Sequence, residues 1–166
     1  MKPANFSQLL PQLANNDVRF IVVGGGAAIA HGLARLTYDV DVVYARDPEN
    51  IHRLWLALSD QDAYLRGAPP GLPFRWDEAT IQAGLNFTLT TNLGDLDLLG
   101  EITGGGFYED LAPFSEELSV FGVHCLFVTL ERLIQLKRAA GRPKDLEILA
   151  ELQEILEQRR EDSSRE

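Results

Sequence analysis

Residues 21–44, "IVVGGGAAIAHGLARLTYDVDVVY", contain the pattern that decides the fold. The apolar run "VRFIVV" ends in three glycines and is typical of a strand that is buried on both faces. "AAIAHGLARL" is helical in composition, although Gly32 weakens the helix, and the alternating "YDVDVVY" indicates another strand. The stretch therefore predicts a strand, a glycine turn, a helix and a second strand that carries Asp39 and Asp41.

The glycine turn after the first strand raises the question of a dinucleotide site. Such a site needs small residues at three fixed positions, so that the helix packs closely and its N-terminus meets the pyrophosphate. If Gly24 and Gly26 fill the first two positions, Ile29 stands at the third. Starting from Gly25 instead puts Ala27 at the second position, where its side chain would crowd the phosphates. The spacing therefore argues against a dinucleotide cofactor.

Two pairs of aspartates alternate along predicted strands. Residues two apart on a strand share a face and lie about 6.5–7 Å apart, so the carboxylates of Asp39 and Asp41 can converge on a pair of divalent ions. "GDLDLLG" supplies Asp95 and Asp97, and we prefer Asp97 as the third ligand because it lies between leucines inside the strand. Alternating acids are more often simply a solvent-facing side of a strand. Within "VDVV" and "LDLL", however, an unpaired buried carboxylate would cost several kcal/mol without a cation or hydrogen bonds.

The remaining patterns predict an α/β (α+β) fold, a mixed β-sheet with helices packed on it and a C-terminal helix pair. Helices are expected over 6–15, from Pro48 through "ENIHRLWLALS", and in "LERLIQLKRAA" and "KDLEILAELQEILEQ". "LNFTLTT" and "GDLDLLGEI" form a predicted hairpin, and "EELSVFGVHCLFV" one or two strands with a turn at Gly122. "GAPPGLP" and "GGGFYEDLAP" are predicted loops. We expect a single domain over 1–158 and a flexible tail over 159–166.

Composition excludes several classes of function. The 166-residue chain has a formal net charge of −10, which argues against generic duplex nucleic-acid binding because that requires clustered Lys and Arg. No apolar run approaches the roughly 20 residues that span a bilayer, and the N-terminus has no signal-peptide core. The single cysteine, Cys125, lies in the apolar "VHCLFV". A buried thiol in a cytoplasmic protein is therefore expected.

The order of strand, Gly-Gly, helix and Asp-x-Asp resembles the nucleotidyltransferase superfamily, which includes DNA polymerase beta and kanamycin nucleotidyltransferase. The motif corresponds here to Gly24-Gly25, Asp39-x-Asp41 and, on a later strand, Asp97. "GGGAAIAHGLARLTYDVD" is most similar to the small bacterial group related to AbiEii-type toxins, and "LIQLKRAAGRPKDLEIL" resembles the helix pair of that group. Many superfamily members have Ser after the first Gly, and Gly25 lacks that hydroxyl.

The resemblance implies transfer of a nucleoside monophosphate from an NTP, such as ATP, to an acceptor hydroxyl or phosphate. Asp39, Asp41 and Asp97 would hold Mg²⁺, or Mn²⁺, and Asp97 would help to deprotonate the acceptor. It leaves open whether the acceptor is RNA, a protein or a small molecule. It also suggests a toxin of a toxin–antitoxin pair, with an antitoxin protein as partner.

The resemblance also implies four nucleotide-binding residues. Gly24 and Gly25 would let backbone N–H groups approach the triphosphate, and Arg35 and Lys137 would contact it with their charges. Alternatively, Arg35 is only a helix-end cation and Lys137 a solvated helix residue. The alternative function is a catalytically inactive module with the same fold, which binds nucleotide or a partner protein. The small size and acidic surface favour that alternative.

Overall fold

The computed structural model describes residues 2–166, and this range contains seven α-helices and nine β-strands. The helices are α1 (Phe6–Asn15), α2 (Gly24–Ala30), α3 (Pro48–Leu58), α4 (Glu78–Ala83), α5 (Tyr108–Leu111), α6 (Leu130–Ala140) and α7 (Pro143–Ser164). The strands are β1 (Phe20–Val23), β2 (Val40–Tyr44), β3 (Tyr64–Leu65), β4 (Asn86–Thr91), β5 (Gly94–Leu99), β6 (Glu101–Ile102), β7 (Gly106–Phe107), β8 (Ser115–Val120) and β9 (Val123–Val128).

Seven of the strands in the described range form one mixed sheet in the order β3-β4-β5-β2-β1-β9-β8. The pairs β2–β5 and β1–β9 are parallel, and the other neighbours are antiparallel. The predicted hairpin is present as β4–β5, and the segment with the predicted turn at Gly122 forms two antiparallel strands, β8 and β9. Strands β6 and β7 form a small separate sheet. The predicted fold class, a mixed sheet with packed helices and a C-terminal helix pair, is confirmed.

The sheet separates two apolar clusters, because alternate residues of a strand point to opposite faces. One cluster contains side chains of α1, α3 and α4 together with Val40 and Val42 of β2. The other contains side chains of α2, α5, α6 and α7 together with Val43. Asp41 alternates with Val40 and Val42, so its side chain belongs to the face covered by α2, α6 and α7. That face carries the candidate site.

Several local predictions are confirmed at the ends of helices. Asp47 caps α3 by accepting a hydrogen bond from the backbone N–H of Asn50, and Thr129 caps α6 in the same way. Gly141 ends α6 with a φ of +64°, a left-handed conformation that glycine adopts without a Cβ clash.

The single cysteine, Cys125, is buried, as expected. Within residues 2–166, no helix combines the length and apolar character needed to cross a membrane.

Three local predictions, for one helix, one strand and one loop, need correction. The helix predicted in "AAIAHGLARL" ends at Ala30, because Gly32 adopts a φ of +113° that a helix cannot include. The predicted strand "GDLDLLGEI" breaks after Leu99 into β5 and β6. The predicted loop "GGGFYEDLAP" contains β7 and α5, and the Asp110 side chain accepts a hydrogen bond from the Phe107 N–H at the start of α5.

Helix α7 also extends beyond the predicted domain limit. It continues to Ser164, through most of the segment for which we predicted a flexible tail. Arg159 donates hydrogen bonds to His31, at its ring Nδ1 and its carbonyl oxygen, and so fastens this part of α7 to the end of α2. The division into a domain and a tail remains a prediction.

Candidate active site

Three aspartates converge where β2 and β5 run side by side. In this parallel pair Asp41 lies directly opposite Asp97. Asp39 lies in the bend just before β2, so the strand predicted from Tyr38 starts two residues later than expected. One carboxylate oxygen from each of the three side chains lies within 4.8 Å of the other two. The three residues predicted from the two Asp motifs are thus brought together, and this geometry could hold a metal ion.

The charges of this cluster are poorly compensated. Burial, followed by the neighbouring carboxylates of Asp39 and Asp97, raises the pKa of Asp41 from 3.8 to about 8. Burial also raises the pKa of Asp97, against the lowering effect of the Arg66 guanidinium. Asp41 Oδ1 and Asp97 Oδ1 are buried and have no hydrogen-bond partner among residues 2–166. Buried carboxylate oxygens of this kind fit a hard divalent cation, which supplies the missing charge.

The glycine turn touches the cluster directly. Asp41 pairs with Val23, the last residue of β1, so the next residue, Gly24, lies beside the Asp41 carboxylate. Gly24 has a φ of +63°, and a Cβ at this position would overlap Asp41 Oδ2. At Gly25 a Cβ would come to 2.6 Å from Thr37 Oγ1. Both glycines are therefore required sterically, whereas their contacts with a triphosphate remain a prediction.

Lys137 faces the carboxylates from the opposite wall. Its Nζ lies 3.2 Å from Asp145 Oδ1, and Asp145 also accepts a 2.6 Å hydrogen bond from Arg142 Nε. Burial alone would raise the pKa of Asp145, but the hydrogen bonds from Arg142 and Lys137 outweigh it and lower the pKa. The Asp145 side chain is fully buried and joins α6 to α7. A buried anion thus holds two cations at the edge of the site.

Two cavities meet at these residues. The first, of about 330 Å³, lies next to Gly24 and has walls of mixed polar and apolar character, the apolar part including Leu99, Ile102 and Leu133. The second, of about 300 Å³, is lined by Asp39, Asp97 and several basic side chains. Asp41, Lys137, Arg142 and Asp145 line both cavities. Together the cavities form a cleft with an acidic floor on the sheet and a basic wall on the helix pair.

Arg35 also lines the second cavity, but an acid on α7 engages it. Its Nη2 lies 2.7 Å from Glu151 Oε1, and both side chains are more than 40% exposed. The structure therefore places Arg35 at the rim of the cleft, where a surface ion pair contributes little stability. Its predicted contact with a triphosphate requires exchange of Glu151 for phosphate.

Sequence reasoning missed Arg66, which follows directly after β3. Its guanidinium lies 2.9 Å from Asp97 Oδ1, 3.4 Å from Asp39 Oδ2 and 3.4 Å from Asp95 Oδ2. Asp95 lies outside the group of three converging carboxylates. A cluster of acids does imply a nearby cation, but β3 has only two residues and no periodicity that could identify which arginine it is.

Comparisons with known proteins agree on the fold. No protein-family model matches the sequence, and no curated protein sequence matches it significantly. Two solved structures resemble it across most of both chains. A proposed nucleotidyltransferase, TM1012 from Thermotoga maritima, has a TM-score of 0.57 at 14% identity, covering 88% of this chain and 91% of that chain. The lincosamide antibiotic adenylyltransferase LnuA, in its lincomycin-bound form, has a TM-score of 0.56 at 15% identity, covering 89% and 93%.

The chain therefore has a nucleotidyltransferase-like fold. At these identities the likeness concerns the fold alone, and function has to be argued from the site.

Proposed function

We propose that this protein is an Mg²⁺-dependent nucleotidyltransferase, which moves a nucleoside monophosphate from an NTP to an acceptor. One observation carries the proposal: Asp39, Asp41 and Asp97 converge within 4.8 Å beside a glycine turn, in a sheet of nucleotidyltransferase-like topology. Two of the three acids have a buried oxygen that accepts no hydrogen bond from residues 2–166, which favours a bound cation over a solvated strand face.

The three carboxylates would hold the divalent ions, which neutralise negative charge on the reacting phosphates and position them. The acceptor oxygen forms a bond to the α-phosphorus, the bond from that phosphorus to the oxygen bridging to the β-phosphate breaks, and pyrophosphate leaves with the electron pair. Asp97 would complete the metal site and accept the acceptor's proton as the bond to phosphorus forms.

The opposite wall would bind the triphosphate. Lys137 and Arg142 face the acids across the cleft, and Asp145 fixes both of them. Gly24 and Gly25 would allow the phosphates to approach the backbone, where a side chain would block them. ATP is our first choice of donor, because the neighbour LnuA is an adenylyltransferase. The toxin role and the antitoxin partner rest on the sequence resemblance alone.

The test is a transfer assay with α-³²P-labelled NTPs, Mg²⁺ or Mn²⁺, and total RNA or lysate as the source of acceptor. We expect an acceptor to become labelled and pyrophosphate to be released. Asp41→Asn should lower the rate by about 100-fold or more, because one ligand loses its charge and several kcal/mol of transition-state stabilisation with it. Asp60→Asn, on the exposed turn after α3, is the matched control and should transfer normally.

Two results would contradict the proposal. Labelling that persists undiminished in Asp41→Asn would place the chemistry elsewhere. Nucleotide binding without any labelling by the wild-type protein, and unchanged in Asp41→Asn, would instead support the inactive binding module.

A further inference from the structure

Arg66 is buried in the acidic cluster more deeply than an ordinary surface cation. Its side chain is 25% exposed and touches three aspartates, and its Nη2 donates a 2.8 Å hydrogen bond to the Leu89 carbonyl. Its backbone N–H donates to the Thr88 carbonyl, which ties the start of the side chain to β4. Arg66 is therefore attached to β4 independently of its contacts with the aspartates.

The contacts of Arg66 fall on the same acids that would bind metal. Asp39 and Asp97 contribute two of the three converging carboxylates, and both lie within 3.4 Å of the guanidinium. The 2.9 Å approach to Asp97 Oδ1 lacks hydrogen-bond geometry, and Arg66 Nε is also buried without a hydrogen-bond partner in the described part of the chain. Arg66 thus compensates part of the negative charge of Asp39 and Asp97 but makes few hydrogen bonds of good geometry to them. The guanidinium is therefore bound to these two carboxylates only weakly.

A second anion is available to Arg66 outside the metal cluster. Asp95 lies two residues before Asp97 on the same face of β5, and its Oδ2 is 3.4 Å from Arg66 Nε. The Asp95 side chain is 41% exposed, so it can adjust its position. The hydrogen bond to the Leu89 carbonyl does not involve any of the acids. A small movement of the guanidinium towards Asp95 would free Asp39 and Asp97 without leaving Arg66 unpaired.

We propose that Arg66 is an internal competitor for the divalent ion: it neutralises Asp39 and Asp97 in the metal-free protein and shifts onto Asp95 when an ion binds. This inference rests on the proposed function, since it assumes that the three carboxylates are the metal ligands. It makes Arg66 a positioning residue that sets the metal affinity of the resting site.

The test is the dissociation constant of Mn²⁺ alone, measured by electron paramagnetic resonance on the full-length protein without nucleotide. Arg66→Gln removes the competing charge, so Mn²⁺ should bind about tenfold more tightly or better. Arg53→Gln is the matched control, because Arg53 forms its ion pair with Glu49 on α3, and it should leave the affinity unchanged. Circular dichroism and thermal unfolding establish that each variant is folded.

The role of Asp95 is tested by a double-mutant cycle. Asp95→Asn alone should weaken Mn²⁺ binding about three- to tenfold, because Arg66 then stays on the metal ligands. In the Arg66→Gln background the same change should have almost no effect. Equal weakening in both backgrounds would mean that Asp95 acts directly on the ion, and would overturn its assigned role.

The outcomes separate this inference from the proposed function. Suppose that the wild-type protein binds Mn²⁺ and transfers nucleotide, but that Arg66→Gln binds Mn²⁺ no more tightly. The inference that Arg66 competes with the ion is then wrong, and the proposed function stands. If none of the variants binds Mn²⁺ and no transfer occurs, both are wrong.

Discussion

Replacement of Asp41 by asparagine should stabilise the metal-free protein, and the gain should grow with pH. Asp41 shares its surroundings with Asp39 and Asp97, and its pKa is about 8 in the folded chain, against a reference value of 3.8. Between these values the folded protein holds a proton that the unfolded chain has lost. Because the native state binds more protons, the free energy of unfolding falls as pH rises through this window. The asparagine side chain does not ionise, so the free energy of unfolding of the variant lacks this decrease with pH.

The size of the effect follows from the pKa of Asp41. Each pH unit inside this window lowers the free energy of unfolding of the wild-type protein by about 1.4 kcal/mol. From pH 5 to pH 8 the free energy of unfolding therefore falls by at most about 4 kcal/mol. Asp41 lines a cleft that is open to solvent, and water there screens part of the repulsion. We therefore expect the stability difference between Asp41→Asn and wild type to widen by about 2 kcal/mol from pH 5 to pH 8, or ~4–8 °C in Tm.

The assay is urea unfolding and thermal unfolding at pH 5 and pH 8, in the presence of a chelator. Asp60→Asn removes an exposed acid and serves as the control, for which the difference from wild type should not widen. Excess Mg²⁺ at pH 8 should reverse the order, because the ion stabilises the wild-type protein and binds the variant poorly. A stability difference that is the same at both pH values, or a more stable wild-type protein at pH 8 without metal, would show that burial and repulsion among the three aspartates do not raise the pKa of Asp41.

Two further predictions concern the walls of the cleft. Gly24→Ala should abolish Mn²⁺ binding and lower stability, because it combines the strain of a positive φ with a clash against Asp41. Gly122→Ala is the control, because Gly122 also has a positive φ but open space around it. This control should lower the free energy of unfolding in urea by only ~1 kcal/mol and leave Mn²⁺ binding intact. Asp145→Asn should cost about 2 kcal/mol in urea unfolding and raise the KM for nucleotide more than it lowers kcat, because Lys137 loses its anchor. Equal Mn²⁺ affinities in the two alanine variants, or an unchanged KM in Asp145→Asn, would contradict these assignments.

The sequence carried enough information for the strands and for the acids on them. The alternation of Asp39 and Asp41 with valine predicted a shared strand face, and the apolar neighbours of Asp97 indicate burial. In the structure β2 begins only at Val40, so Asp39 lies in the bend just before the strand. The fold class was predictable for the same reason: strand and helix periods, glycine turns and helix caps are all local signals.

The assembled site depends on information that is not local. The register that puts Asp41 opposite Asp97 comes from pairing between strands more than fifty residues apart, and no periodicity specifies that register. Arg66 follows a two-residue strand, which is too short to show a pattern. The position of Lys137 depends on how the turn between α6 and α7 places Asp145 beneath it. Such contacts are set by tertiary packing, and sequence reasoning could identify the participants only in part.

The cleft has its two charges on separate parts of the molecule. The anionic floor belongs to β2 and β5 in the middle of the sheet, whereas the cationic wall belongs to α6 and α7, which pack on that sheet through apolar side chains. Substitutions that move or reshape the helix pair can therefore change which molecules enter, and how firmly they are held, without disturbing the acids. A scaffold of this kind permits the selectivity of the cleft to change while its three acids stay in place.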